Sequence, residues 1–286
     1  MRIQAYTSDE LRFAYMYHVY YRWQSWRGKP IEVLAELHRA ALQKMADEFD
    51  IHVLEMKANS TDVTCLSSVR PCDSVSVVAS KLKGRLSKWI GQRRCLESPV
   101  QSLKAGYFAV TSGKSTTEQV EKYLNTQATH HGYQFHARPP VYVKQWQGSD
   151  SLPDFLAVTH AETVLRFHFV LAATNRQGIF DAEAAASVAS RWRESEQSHR
   201  FVLRKVSFLP DHVHVAVRLH PTVAPGELIL HLMNASQELV FNQFSRLVVE
   251  AKVERLWQPS AYLGSHGNLA SPMIGQYIRN SADSNA

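Results

Sequence analysis

The stretch Leu209-Pro210-Asp211-His212-Val213-His214-Val215-Ala216-Val217 decides how the whole chain is interpreted. It is an apolar run with histidines at alternate positions, which is the pattern of a β-strand. Because side chains alternate between the two faces of a strand, His212 and His214 share one face and the valines share the other. Two neighbouring imidazoles form half of a divalent-metal site. The same short pattern is also typical of two surface histidines on an edge strand, so the pattern alone leaves both interpretations open.

Composition narrows the class of protein. The chain of 286 residues is long for one compact domain and comfortable for two, and its 45% hydrophobic fraction is ordinary for a globular protein. No apolar run approaches the roughly 20 residues of a membrane span, and we expect no secretory signal in the first residues. Three cysteines without CxxC spacing are too few for a disulfide framework. These features fit a protein of the reducing cytoplasm with no membrane partner.

The net charge of +6 favours a polyanionic partner, and the charge is concentrated in residues 80–94. On a helix, Lys81, Arg85 and Lys88 of this segment would share one face. The apolar residues Leu82, Leu86 and Trp89 would share another face. Because the segment contains no acid, we predict that it contacts nucleic-acid phosphates, the alternative being a solvated helix surface. The cations in question are Lys81, Lys83, Arg85, Lys88, Arg93 and Arg94.

Similar segments recur at a fixed separation of 150 positions, which indicates an internal duplication. The aligned segments are Tyr17-His18 with Phe167-His168, Ile51 with Phe201, and Asp62-Val63-Thr64 with His212-Val213-His214. Towards the end of each copy a glycine precedes a tyrosine by ten residues: Gly113 with Tyr123, and Gly267 with Tyr277.

Each copy has the predicted order β-α-β-β-α-β-α, which is an antiparallel sheet with helices on it, of ferredoxin-like type. The apolar spacing predicts one continuous helix over 31–49 and another over 225–247. We predict an N-terminal domain over 1–130, a linker over 131–153 and a C-terminal domain over 154–286. Glycines and prolines break the periodicity of the linker.

The order of these motifs resembles that of the single-tyrosine HUH transposases, which include insertion-sequence and REP-associated tyrosine transposases. In that order, a His-hydrophobic-His strand is followed by an amphipathic helix, a short strand, a glycine turn and a helix with one tyrosine. The C-terminal copy carries the resemblance in LPDHVHVAV (209–217) and IGQYIRN (274–280). The N-terminal copy carries it in LKGRLSKWI (82–90) and LKAGYFAVTSGKSTTEQVEKYLNTQ (103–127). The resemblance implies an α+β chain of two tandem ferredoxin-like HUH domains, arranged as a fused pseudo-two-fold dimer.

The resemblance also implies a chemistry, which is metal-dependent cleavage and strand transfer of single-stranded DNA beside hairpins. In the family, the histidine pair and a glutamine four residues after the tyrosine hold Mg²⁺ or Mn²⁺, and the tyrosine forms a 5′-phosphotyrosine. A phenol with a pKa of about 10 is a weak nucleophile at neutral pH, so a Lewis acid is needed to polarise the phosphate. A nucleoid-associated cytoplasmic enzyme is expected.

Each copy lacks a different component of the family's site. The N-terminal copy has Asp62 and Thr64 in place of the histidines, but it has a tyrosine, Tyr123, with Gln127 one helical turn later. The C-terminal copy has both histidines and Tyr277, but the residue four positions later is Ser281, and only Asn280 is nearby.

Family dimers can dock the tyrosine helix of one subunit against the histidines of the other. We therefore predict one composite site per chain, made in trans by Tyr123, Gln127, His212 and His214, with the protein acting as a monomeric pseudo-dimer. The alternatives are a cis site with Tyr277, and a core role for Tyr123 on its amphipathic helix. A rival function is that of a non-catalytic, domesticated hairpin DNA- or RNA-binding protein, although the retained histidines argue against complete loss of chemistry.

Overall fold

The computed structural model describes residues 4–94, 102–113, 119–120, 140–146 and 153–267. The strands are β1 (Arg12–Phe13), β2 (Tyr17–Gln24), β3 (His52–Ala58), β4 (Asp62–Val69), β5 (Tyr107–Ser112), β6 (Tyr142–Gln145), β7 (Ala161–Val164), β8 (Arg166–Ala173), β9 (Phe201–Leu209), β10 (His212–Leu219) and β11 (Trp257–Ser265). The α-helices are α1 (Arg39–Ala46), α2 (Val75–Arg94), α3 (Ala182–Glu194), α4 (Pro225–Gln243) and α5 (Ser245–Ala251). Within the described ranges, no helix is both long and apolar enough to cross a membrane.

Both halves have the ferredoxin-like strand order. The C-terminal half contains the order β11-β8-β10-β9, and the N-terminal half contains β5-β2-β4-β3, so the first and third strands are central in each. Neighbouring strands within each of these sets are antiparallel. Apolar side chains on one face of each sheet are buried in a core that also contains apolar residues of the helices. The predicted α+β fold of two tandem domains is confirmed.

A β-bulge recurs at the same position in both halves. On β9, Arg204 is the extra residue that has no partner on β10. On β3, Leu54 is the extra residue that has no partner on β4. These two bulged residues are 150 positions apart, as the repeat predicts. Because a bulge is a specific local feature that families retain, its recurrence supports duplication of one ancestral unit.

The first strand of each half departs from the spacing of 150. Tyr20 pairs with Leu66 on β4, and His168 pairs with Ala216 on β10. Leu66 and Ala216 are 150 positions apart, whereas Tyr20 and His168 are 148 apart. The structural counterpart of His168 is therefore Tyr20, and the alignment of His18 with His168 is wrong by two residues. A shift of two keeps every side chain on its face, so the alternation in the sequence does not reveal it.

The two halves meet through reciprocal hydrogen bonds at the starts of their long helices. The Ser76 N–H donates to the Pro221 carbonyl, and the Gly226 N–H donates to the Pro71 carbonyl, each at 2.8 Å. The two donor residues are 150 positions apart, and so are the two acceptor residues. This reciprocity is that of a two-fold interface within one chain.

A second reciprocal contact joins the ends of β5 and β11. The Thr111 hydroxyl donates to the His266 carbonyl at 2.9 Å, and the Ser265 hydroxyl donates to the Ser112 carbonyl at 2.7 Å. In addition, each half lends a short strand to the other half's sheet, because β1 pairs in parallel with β11 and β7 pairs in parallel with β5. The halves are thus interlocked rather than merely adjacent.

Glycines at this junction allow the close approach, and their replacement gives a test. A Cβ on Gly113 would overlap the carbonyl oxygen of Ser265, and a Cβ on Gly267 would overlap that of Thr111. We expect Gly113→Ala to lower the free energy of unfolding by about 1–3 kcal/mol, measured by urea denaturation, because backbone atoms must move apart. Gly84→Ala, in open space on α2, is the matched control and should raise it by about 0.5–1 kcal/mol. An equal change in the free energy of unfolding of the two variants would contradict the close contact at Gly113.

Three segments differ from the sequence predictions. The expected helix over 31–49 is broken, because His38 caps α1 by accepting from the Ala41 N–H and 3₁₀ turns flank the helix. The expected helix over 225–247 is interrupted at Phe244, whose φ of −122° is not helical. The described part of the linker forms β6 against β9. The domain boundaries themselves remain a prediction.

Candidate active site

The histidine pair lies on the face of the C-terminal sheet that is opposite to the helices. Val213 and Val215 are fully buried in the helix-side core, so the alternating His212 and His214 point to the other face. The two rings lie 5.0 Å apart between centroids, and only 4% and 3% of the two residues is exposed. Two adjacent imidazoles therefore line one side of a protected site.

Each imidazole is held through its Nδ1 atom. His212 Nδ1 lies 2.7 Å from the Asp211 carboxylate, which forms an ion pair with Arg176 at 2.8 Å. His214 Nδ1 lies 3.2 Å from Nε2 of His168, and these two rings stack at 5.4 Å. Such outer contacts fix ring orientation, and they leave Nε2 as the atom with which each ring would coordinate a metal. Asp211 and His168 are not among the site residues predicted from the sequence, although the position of Asp211 directly before His212 is a signal for it.

The protonation states of these outer groups suit that arrangement. Burial lowers the pKa of His168 to about 4, and repulsion by His266 adds to the effect, so His168 is neutral at neutral pH. Burial alone would raise the pKa of Asp211, but the hydrogen bond with His212 and the charge of Arg176 outweigh it, and the pKa is lowered. Asp211 is therefore an ionised acceptor for His212.

The corresponding pocket of the N-terminal half is built differently. Asp62 lies 3.7 Å from the Arg22 guanidinium and accepts from the Asn59 amide at 3.0 Å. The Thr64 hydroxyl donates to a backbone carbonyl of β3 at 3.3 Å. Tyr20, the counterpart of His168, is buried, and burial raises its pKa to about 12. A protein cation faces the carboxylate here, at the sheet position where the other half has its imidazoles.

The described residues supply only part of the predicted composite site. Within them, no group of three or more His, Cys, Asp or Glu side chains could hold a metal ion. The candidate nucleophiles and third ligands lie outside the described residues: Tyr123, Gln127, Tyr277, Asn280 and Ser281. A third ligand from one of these residues, or from a hydroxyl or amide elsewhere, would be needed to complete a site at the histidine pair.

One described contact links the N-terminal half's last helix to the histidine face. Gln119 and Val120 are helical, and Val120 forms a small buried cluster with Ala216 of β10. Ala216 follows His214 by two residues and therefore shares its face. Val120 thus packs on the other half, on the face that bears His214, which no local sequence pattern predicts.

The basic helix α2 carries part of its charge in ion pairs with distant acids. Lys81 lies 3.5 Å from Asp73, and Arg85 pairs with Glu48. Both cations also lie over the ring of Phe49, at 5.1 and 5.5 Å. The charges of these two cations are therefore balanced by acids that lie outside the basic segment.

The other cations of α2 are arranged differently. Lys83 donates to the Ala105 carbonyl at 2.7 Å, and burial lowers the pKa of this lysine. Lys88 is exposed, and the exposed Arg93 lies over the Trp89 ring at 4.1 Å. The side chain of Arg94 lies outside the described residues. Among the described cations of this segment, Lys88 and Arg93 are thus the exposed ones.

The family whose model is described as "Transposase IS200 like" matches residues 11–127 and 161–281. The two matched segments cover more than half of the chain and correspond to the two copies of the repeat. The chain belongs to the IS200-like transposase family, and it carries the family's domain twice in tandem. The family predicted from the motifs is confirmed, and with it a transposase-like, DNA-cleaving class of enzyme.

Solved structures also resemble parts of the chain. A protein assigned as a transposase from Deinococcus radiodurans R1 is 21% identical, with 47% of this chain and 96% of that chain covered and a TM-score of 0.35. A REP-associated tyrosine transposase bound to a REP hairpin is 9% identical, with 48% and 77% covered and a TM-score of 0.28. At these values neither likeness supports an argument about function. A comparison with curated protein sequences gives no match.

Proposed function

We propose that this protein cleaves and rejoins single-stranded DNA beside a hairpin, through a 5′-phosphotyrosine on Tyr123, in one composite site per chain. The site would combine Tyr123 and Gln127 of the N-terminal half with His212 and His214 of the C-terminal half. The observation that carries the proposal is the packing of Val120 against Ala216.

Distances along the two elements make this contact informative. Tyr123 is three residues after Val120, and a helix that continued to it would carry both side chains on one side, with a rise of about 4.5 Å between them. His214 is two residues before Ala216, about 7 Å along the strand. The proposal is that the helix continues past Val120 and so brings the phenol to the histidine side of β10. A site built only from the C-terminal half would not require the N-terminal half's helix to pack there.

The donor set of the proposed site fits a divalent cation. His212 and His214 would offer Nε2 atoms, and Gln127 would offer an amide oxygen; mixed nitrogen and oxygen donors suit Mn²⁺ better than Mg²⁺, which prefers oxygen. When bound, such an ion would polarise the scissile phosphate and offset the charge that develops on it. The outer contacts of Asp211 and His168 would keep both rings in the coordinating orientation.

The covalent step is a transesterification. The Tyr123 oxygen attacks phosphorus, a P–O bond to the phenol forms, and the P–O bond to the 3′ oxygen breaks. The phenol proton is lost to solvent, and the leaving 3′ oxygen takes up a proton to become a hydroxyl. Because one phosphodiester replaces another, a 3′-hydroxyl can later attack the phosphotyrosine and restore the phenol without ATP.

The other composite pocket would be inert. Asp62 is engaged by Arg22 and Asn59, and Thr64 is a weak ligand whose hydroxyl is used by the backbone. DNA contacts would be asymmetric as well. The exposed Lys88 and Arg93 of α2 are candidates for phosphate contacts, whereas the counterpart helix α4 is mostly apolar. A hairpin would then be held mainly by the N-terminal half.

The direct test is incubation of the protein with an end-labelled hairpin oligonucleotide that has a single-stranded flank, with Mn²⁺ present. We expect a denaturation-resistant protein–DNA adduct and a shorter free strand. Hairpin binding without any adduct or cleavage, over a range of divalent ions and flank sequences, would instead favour the non-catalytic binding protein.

The outer contact of His212 gives a prediction of its own. Asp211→Asn should weaken Mn²⁺ binding about 10- to 100-fold, because the amide orients the imidazole poorly and lowers its basicity. Mn²⁺ affinity can be measured by electron paramagnetic resonance of the free ion. Asp62→Asn, in the other pocket, is the matched control and should leave the affinity unchanged. A loss of affinity in the control alone would move the metal site to the N-terminal half.

A further inference from the structure

A line of aromatic rings crosses the histidine face from its centre to the edge of the sheet. The line runs through His212, His214, His168, Tyr262 and Tyr15. Successive ring centroids are separated by 5.0, 5.4, 6.1 and 5.2 Å. These separations are those of contacting rings, so the buried pair is connected to the edge without a gap.

Exposure changes sharply along this line. The three histidines are buried, whereas 45% of Tyr262 and 60% of Tyr15 is exposed. Tyr262 pairs with Val170, and Val170 pairs with His214, so both lie in one row on one face. Single exposed aromatics are common, but a contacting pair of exposed rings beside a candidate active site is a surface suited to a ligand.

The described part of the N-terminal half does not present such a surface. The counterpart of Tyr262 there is Phe108, 154 positions earlier. Phe108 packs edge-on against Tyr20 and belongs to an apolar cluster with Val110 and Leu66. Among the described residues, the exposed pair therefore lies on the sheet that has the histidines and has no counterpart on the other sheet. It also needs both halves, because Tyr15 follows β1, the strand that the N-terminal segment lends to β11.

The same face also carries two arginines. Arg166 on β8 and Arg218 on β10 are directly opposite in the strand register, on the side of the sheet that bears His168. Bases that stack and phosphates that need cations occur together in nucleic acid.

We propose that Tyr15 and Tyr262 form a stacking platform for unpaired bases of the single-stranded DNA that flanks the scissile phosphate. The proposal rests on the proposed function in one respect, namely that single-stranded DNA enters the histidine face. Aromatic rings accept any base, since every base has a π-face, so the platform would hold the strand without strong sequence preference. Its function would be to position the flank, while the hairpin is bound elsewhere.

The test measures binding without chemistry. In EDTA, fluorescence anisotropy gives the affinity for a hairpin with a single-stranded flank and for the same hairpin without it. We expect Tyr262→Leu and Tyr15→Leu each to weaken binding of the flanked hairpin about 5- to 100-fold and to leave the blunt hairpin unaffected. Tyr262→Phe should retain the affinity, because the ring remains. Val249→Ala, which removes an exposed apolar side chain on α5, is the control.

A fluorescent adenine analogue such as 2-aminopurine, placed in turn at each flank position, provides a second readout. Its emission should be quenched on binding at one or two positions, and this quenching should be lost in the leucine variants. Unchanged affinity for the flanked hairpin in folded leucine variants would overturn the platform, and so would an equal loss on both hairpins. Failure of the proposed function is separate, since it would appear as the absence of an adduct with Mn²⁺ while the binding difference in EDTA persists.

Discussion

Tyr123→Phe is expected to abolish the covalent protein–DNA adduct, whereas Tyr277→Phe is expected to leave most of it. The substitution removes only the hydroxyl that would attack phosphorus, so no other route to a phosphotyrosine remains at that position. The measurement is the yield of denaturation-resistant adduct with a labelled, flanked hairpin in Mn²⁺.

Hairpin affinity serves as the control for this pair, since neither phenylalanine should alter it by much. The reverse pattern, with loss in Tyr277→Phe alone, would assign the site to the C-terminal half in cis. Partial loss in each variant would indicate two working sites and would contradict the inert second pocket.

Removal of the histidine pair should have an effect of similar size. We expect His214→Ala, and more strongly the double variant with His212→Ala, to reduce the rate of strand cleavage by about 10³-fold or more. The metal's stabilisation of developing charge is worth several kcal/mol, and it would be lost together with the imidazoles. Single-turnover cleavage and Mn²⁺ binding should fall together.

His52→Ala, which removes an exposed histidine at the start of β3, is the control and should change neither quantity. Cleavage that persists in the double variant at the wild-type rate would show that the metal, if required, is held elsewhere. Recovery at high Mn²⁺ concentration in the single variant alone would support direct coordination by the remaining histidine.

Much of the fold followed from short-range patterns. The alternation around His212 and His214 predicted both the strand and the shared face, because the period of two is imposed by backbone geometry. The separation of 150 predicted two similar domains, and the shared bulge at Leu54 and Arg204 agrees with it. The motif order was sufficient to identify the family, although the roles of the tyrosines remain predictions.

What the sequence could not supply depends on long-range contacts. The pairing of Arg85 with Glu48 joins residues that are 37 positions apart, so the basic segment taken alone shows no acid that could compensate its charge. The counterpart of His168 was misassigned because a two-residue shift preserves the alternation. The line of aromatic rings joins Tyr15 to Tyr262, which are far apart in the sequence. They come together because the exchanged strand β1 pairs with β11.

The exchange of edge strands has an evolutionary consequence. Since β1 covers the edge of β11 and β7 covers the edge of β5, neither half can be discarded without exposing a longer edge strand of its neighbour. Selection for a stable chain then maintains both copies, whatever happens to their chemistry. Under that protection, differences such as Asp62 and Thr64 in one copy against His212 and His214 in the other can accumulate independently. Mutual dependence in folding thus permits a division of labour between two originally identical units.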